Sequence, residues 1–84
     1  MTIKVLGDSD RSYVATLVNL TDNNLLFTAP SALRAAAAIE AHVQGMAIMG
    51  EVLWCTPRDR WFEVLVRARH SVPLSRSETR PWFK

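Results

Sequence analysis

Few side chains in this 84-residue sequence are of a type that does chemistry, and those few are not spaced for catalysis. Cys55 has no histidine or other base beside it in the chain. A lone cysteine within a strand-like run reads as a small buried hydrophobe and not as an activated nucleophile. His42 and His70 come without further cysteines or carboxylates at ligand spacing, so they read as surface histidines and not as half of a zinc site. The acidic residues are scattered, with no carboxylate pair, and no glycine-rich phosphate loop is present. The sequence therefore predicts a protein that is not an enzyme, with no catalytic residue, no metal site and no cofactor.

Binding chemistry has more to stand on. The run Asn19-Leu20-Thr21-Asp22-Asn23-Asn24 concentrates short oxygen- and amide-bearing side chains between two apolar segments. Such residues bond their own main chain and form tight turns; the same exposed amides also suit an oxygen-rich ligand. A second candidate is the set Arg58, Arg60, Arg67 and Arg69. On a strand, Arg67 and Arg69 share a face, and guanidinium forks match phosphates and carboxylates. The alternative for this set is a solvated strand face that keeps a sheet edge from pairing with other chains. Trp54 and Trp61 flank a turn and read as core residues paired across it. Trp82 and Phe83, close to the end, read as docking on the body or meeting a partner.

The elements that would position these groups are strands. Ile3–Leu6 is a short apolar run stopped by Gly7-Asp8-Ser9-Asp10, a dense turn signal. Tyr13–Leu20 is rich in β-branched and aromatic residues and reads as one strand. Leu25–Thr28 is the next, closing a hairpin over the 19–24 turn. Residues 31–36 are expected to form a turn, or a single helical turn, followed by a strand in which Ile39, Ala41 and Val43 face one way. A helix over 32–43 is the competing expectation, because alanine is a strong helix former. Met46–Thr56 reads as a long strand with Met46, Ile48, Val52 and Trp54 on one face, and Gly50 inside it signals a bulge or bend. After the turn at Pro57–Arg60, Trp61–His70 alternates with Phe62, Val64, Val66 and Ala68 inward. Ser71–Lys84 is polar with two prolines and is expected to be an irregular tail with a short helical turn near 75–80.

Composition agrees with a folded domain. Apolar residues make up 49% of the chain, and a core of one small domain is within its reach. Ten lysines and arginines stand against eight acids, for a net charge of +2. A DNA- or RNA-binding domain is expected to carry a denser basic stripe. The single cysteine excludes an intrachain disulfide and fits a reducing, cytoplasmic setting. The start of the chain lacks the apolar core of a signal peptide, and no apolar run is long enough to span a bilayer.

With the turns in place, the run Val14–Phe27, VATLVNLTDNNLLF, resembles the first hairpin of PilZ domains. That family carries Asp or Asn, any residue, Ser, two residues, then Gly in this turn; the matching positions here are Asn19, Thr21 and Asn24. The run MGEVLWCTPRDRWFEVLVRARHS is similar to the family's second half, in which a Gly-x-Val-x-Trp strand turns into the closing strand. The likeness covers about Val5 to Val72. It departs from the family in Thr21 for Ser, in Asn24 for Gly, and in lacking the Arg-x-x-x-Arg segment that cyclic di-GMP-binding members carry ahead of the first strand. Arg11 is the sole arginine among the first thirty residues.

The expectation is thus an all-β, six-stranded antiparallel PilZ-like barrel over residues 1–72 with a tail over 73–84. The resemblance implies a regulatory module that acts through a protein partner or a homodimer, with its cyclic di-GMP site degenerate or absent. The alternative it implies is a working cyclic di-GMP receptor that uses Arg11, Asn19, Thr21 and Asn24.

Overall fold

Apolar–polar alternation becomes strand almost everywhere the sequence shows it. The structure, a computed structural model, describes residues 1–6 and 11–73. It contains β1 (Thr2–Val5), β2 (Ser12–Val14), β3 (Thr16–Leu20), β4 (Asn24–Ala29), β5 (Ala38–Val43), β6 (Met46–Pro57) and β7 (Phe62–Pro73). The Gly7–Asp10 turn, the helical turn near 75–80 and the tail with Trp82 and Phe83 lie outside the described residues.

The strands form one seven-stranded sheet in the order β2-β1-β5-β6-β7-β4-β3, antiparallel at every pairing. The outermost strands, β2 and β3, are separated in sequence by Ala15 alone. Laid flat, the two edges would stand about 29 Å apart at about 4.8 Å per strand. One residue cannot bridge that gap, so the sheet curls into a half-barrel whose outer strands meet at Ala15. Met1 and Ala15 exchange two main-chain hydrogen bonds of 3.1 and 2.9 Å, which extend the β1–β2 ladder up to this corner. The expected single strand Tyr13–Leu20 is thus two, and the expected six strands become seven. The cause is the switch of partner at Ala15, from β1 to β4.

The concave face holds the core. Ile3, Leu25, Phe27, Ile39, Val64 and Val66 are fully buried there. The expected inward set on β7 is found, with Phe62 and Ala68 half-buried against the same cluster. A helix over 32–43 is not formed. Ala37 N–H closes a turn onto the Arg34 carbonyl at 3.1 Å, with Ala36 in the left-handed region at φ 70°. The neighbouring main chain then pairs with β6, Ala36 N–H to Val52 O at 2.7 Å and Val52 N–H to Ala37 O at 2.9 Å. Sheet pairing outweighs the helix preference of alanine, a difference of less than about 1 kcal/mol per residue.

The β6–β7 register shifts between Met49 and Gly50, at the expected glycine, but the extra residue is Arg69 on β7 and not a residue of β6. A second shift, between Val52 and Trp54, makes Leu53 the extra residue. That shift overturns the expected faces beyond it. Trp54 leaves the face it would share with Val52 and is 40% exposed, while Cys55 turns toward the core. Trp54 stands opposite Leu65 and not Trp61, which is itself 45% exposed in the turn.

Candidate functional site

The 19–24 turn is held by its own groups. Thr21 N–H bonds the Asn24 carbonyl at 2.9 Å. The Thr21 hydroxyl accepts from the N–H of Asn24 at 3.0 Å and of Asn23 at 3.4 Å, and it reaches the Asn24 carbonyl at 3.4 Å. This side chain therefore organises the turn. Among the described residues, Ala36 and Gln44 are the non-glycine positions with positive φ. Asn24 is not among them; it begins β4.

Asn19 and Asn24 sit in different surroundings. Asn24 is the cross-strand partner of Arg67, and Asn23 accepts the Ala68 N–H at 2.7 Å. Together Asn23, Asn24, Arg67, Ala68 and Arg69 line a polar cleft of about 540 Å³. Asn19 pairs with Leu26 on the convex face, after a register shift that leaves Val18 as the extra residue. Arg11 lies elsewhere again. Its guanidinium donates to the Tyr13 hydroxyl and stands 5.5 Å from that ring's centre. It lines a cleft of about 770 Å³ together with Val5, Leu6, Arg34 and the Ala35–Ala37 turn. A middle cleft, sharing Leu6 and Ala36 with the first and Arg69 with the polar one, lies between them. Arg34 and Glu51 are charged cleft residues that the sequence pattern did not single out. Only cross-strand register joins Asn23 to β7.

The four-arginine set divides in two. Arg58 and Arg60 occupy the β6–β7 turn, where Arg58 pairs with Glu63 at 2.6 Å. Arg67 lies five residues along β7 from Phe62, roughly 16 Å from the turn. Arg69 pairs with Glu51. Glu51 is held below the usual carboxylate range, first by its hydrogen bond from Arg69, then by the Arg69 charge, with Arg67 adding a smaller pull against slight desolvation. Arg67 is close enough to act on Glu51 by charge, yet it has no ion-pair partner among the described residues.

Cys55 and His42 lie outside these clefts, whereas His70 lines the middle one. The Cys55 sulfur accepts the Leu33 N–H at 3.5 Å in a half-buried position. His42 pairs with Glu40 at 2.7 Å, two residues along the same strand. Among the described residues no group of three or more metal-ligating side chains converges, and no helix is long and apolar enough to cross a membrane.

The convex face over β6, β7, β4 and β3 has a distinct pattern. Cross-strand register sets Trp54 beside Leu65, Leu65 beside Leu26 and Leu26 beside Asn19 in one row, with the unpaired bulge residues Leu53 and Val18 next to its two ends. Trp54, Leu53 and Val18 are 40%, 38% and 52% exposed. On one side of this row lie Glu63, Thr28 and Thr56; on the other lie Arg67, Glu51 and Asn24. Comparison with protein-family models, with curated proteins and with solved structures returns no match to this chain.

Proposed function

We propose that this protein is a non-enzymatic, PilZ-like regulatory module of the cytoplasm that works through protein contacts, its cyclic di-GMP site being degenerate. The observation that carries this reading is the apolar row on the convex face. Trp54 and Leu53 at the β6 end and Val18 at the β3 end are exposed on the same face, joined through Leu65 and Leu26 and flanked by charged and hydroxyl-bearing residues, a composition typical of an association surface. The ligand residues implied by the family signature support it from the other side. Thr21 is occupied within its turn, Asn19 stands on the convex face, and Arg11 and Asn24 line different clefts.

One observation favours the receptor alternative: the three clefts adjoin, with Arg11 and Arg34 in the first, Arg69 in the second and third, and Arg67 and Asn24 in the third. Calorimetric titration with cyclic di-GMP separates the two. No heat and no rise in melting temperature at high ligand concentration is the expected result, since a ligand that binds the native state must stabilise it. Micromolar binding that Asn24→Ala or Arg67→Ala abolishes would overturn the protein-contact reading.

A further inference from the structure

We infer that the convex face of β6, β7, β4 and β3 binds a second copy of this chain about a two-fold axis passing over Leu65. This inference rests on the protein-contact reading above and names the partner. Its basis is the order of outward residues on β7. Residues 62–67 pair with β4 in unbroken register, so Glu63, Leu65 and Arg67 project from one face. An acid, an apolar residue and a base thus follow one another at about 7 Å intervals.

Within one molecule Glu63 and Arg67 are about 13 Å apart along the strand, too far to pair. A two-fold axis lying along the Trp54–Leu65–Leu26 row changes this. It sets that row against its own copy and reverses the strand direction, so that Arg67 of each molecule faces Glu63 of the other. Two identical ion pairs then bracket a shared apolar strip, the self-complementarity that a two-fold interface demands.

Geometry and charge both accommodate the arrangement. Packed sheets stand about 10 Å apart with strands crossing at about 30°, which displaces residues 7 Å from the axis by only about 3–4 Å. An arginine side chain spans that offset. Arg67 has no ion-pair partner among the described residues, whereas the Glu63 carboxylate already accepts from Arg58 at 2.6 Å. A carboxylate has about four acceptor positions, so a second guanidinium can join it. The flanking pairs Thr28 with Asn24 on β4 place polar groups opposite polar groups under the same operation. The patch is four strands wide and three rows deep, so the dimer is expected in the micromolar range and not as an obligate assembly.

Sedimentation velocity on the full chain, from about 5 to 500 µM, tests this. The native protein is expected to shift from monomer to dimer across that range. Arg67→Glu and Glu63→Lys alone should each weaken association ~100-fold, because each places two like-charge contacts in every symmetric dimer. A 1:1 mixture of the two variants should recover dimer, since every contact in the mixed pair is again of opposite charge. Arg67→Ala, a milder change, should cost ~10-fold. Circular dichroism shows that each variant keeps its strands, and recovery on mixing shows it independently. A native chain that stays monomeric throughout overturns the inference, as does a dimer indifferent to Arg67→Glu or a mixture that fails to recover. The nucleotide titration is a separate readout. Heat with cyclic di-GMP would overturn the protein-contact reading whatever the sedimentation shows, and a monomer that gives no heat would remove the dimer while leaving that reading in place.

Discussion

Replacing Gly50 with alanine isolates one demand that the curled sheet makes on the sequence. A Cβ built at Gly50 would lie 2.9 Å from Val66 Cγ1 and 3.0 Å from the Arg67 carbonyl carbon, with the Arg67 carbonyl oxygen closer still. The obstructing atoms are mostly main chain of β7 and cannot rotate away, so the two strands must part where the register already shifts. Overpacking costs about 1–3 kcal/mol where side chains can adjust; a rigid backbone obstacle puts this site at the upper end. Restricting the unfolded chain returns about 0.4–1 kcal/mol. The net loss is about 2 kcal/mol or more, which for a domain of this size lowers Tm by roughly 8–16 °C. Thermal and urea melts followed by circular dichroism measure it. Gly45→Ala is the matched control. It has open space around the added methyl and φ +75°, so it carries only the backbone penalty, about 1 kcal/mol. A Gly50→Ala protein that melts within about 3 °C of the native chain would refute the close β6–β7 approach, and with it the reason for a bulge at that position.

Ala36→Gly should raise stability by about 1 kcal/mol, because Ala36 bears the left-handed penalty at φ 70°; an unchanged urea midpoint would contradict the turn. Glu51 is an acid-side contributor. Its folded-state proton affinity is depressed by Arg69 and Arg67, so its stabilisation is present above the unfolded carboxylate value and disappears as pH falls through the folded one. Glu51→Gln should therefore lower stability near neutrality and flatten the acid limb, the variant and native chain converging as pH falls below the folded-state value. Trp54→Ala should leave monomer stability within about 1 kcal/mol, whereas Cys55→Phe should cost about 1–3 kcal/mol, since the first side chain faces solvent and the second faces a filled core. Melting curves at low protein concentration read both.

Where the hydrophobic period was unbroken, the sequence was enough to place side chains. The inward set Phe62, Val64, Val66 and Ala68 follows from alternation alone, as do Ile39, Ala41 and Val43. Gly50 announced a break in the ladder, because a glycine inside an apolar strand marks a bulge or a close backbone approach, although the extra residue, Arg69, stands on β7. The turn expected over 31–36, with a strand after it, is found at 34–37, though no glycine or asparagine marks it. Its left-handed position is filled by alanine, and the run of alanines around it has a helix preference that only pairing with β6 overrides. The candidate site was less legible for the same kind of reason. Asn19 and Asn24 are five residues apart in one turn sequence, but the shift at Val18 and the register with β7 send them to different surroundings. Nothing in the local pattern encodes that β4 pairs with β7, and that pairing is what brings Asn24 to Arg67 and divides the arginines of the turn from those farther along the strand.

The bulge at Leu53 connects the core to the proposed association surface. Without an extra residue, alternation from Val52 would place Trp54 inward, opposite Val64. That row of the core already contains Phe27, fully buried, beside Val64 and Leu17, and Leu33 covers it closely enough for its N–H to reach the Cys55 sulfur. An indole there would meet close-packed side chains that cannot make way, whereas a thiol fits. Inserting Leu53 advances the phase by one residue, admits Cys55 and turns Trp54 outward beside Leu65. The exposed apolar row is therefore in part a consequence of how the core fills. What that packing does not require is Glu63 and Arg67 at equal distances on either side of Leu65. Many polar residues would solvate those positions equally well. An acid on one side and a base on the other is the arrangement that lets a surface produced by core packing recognise its own copy.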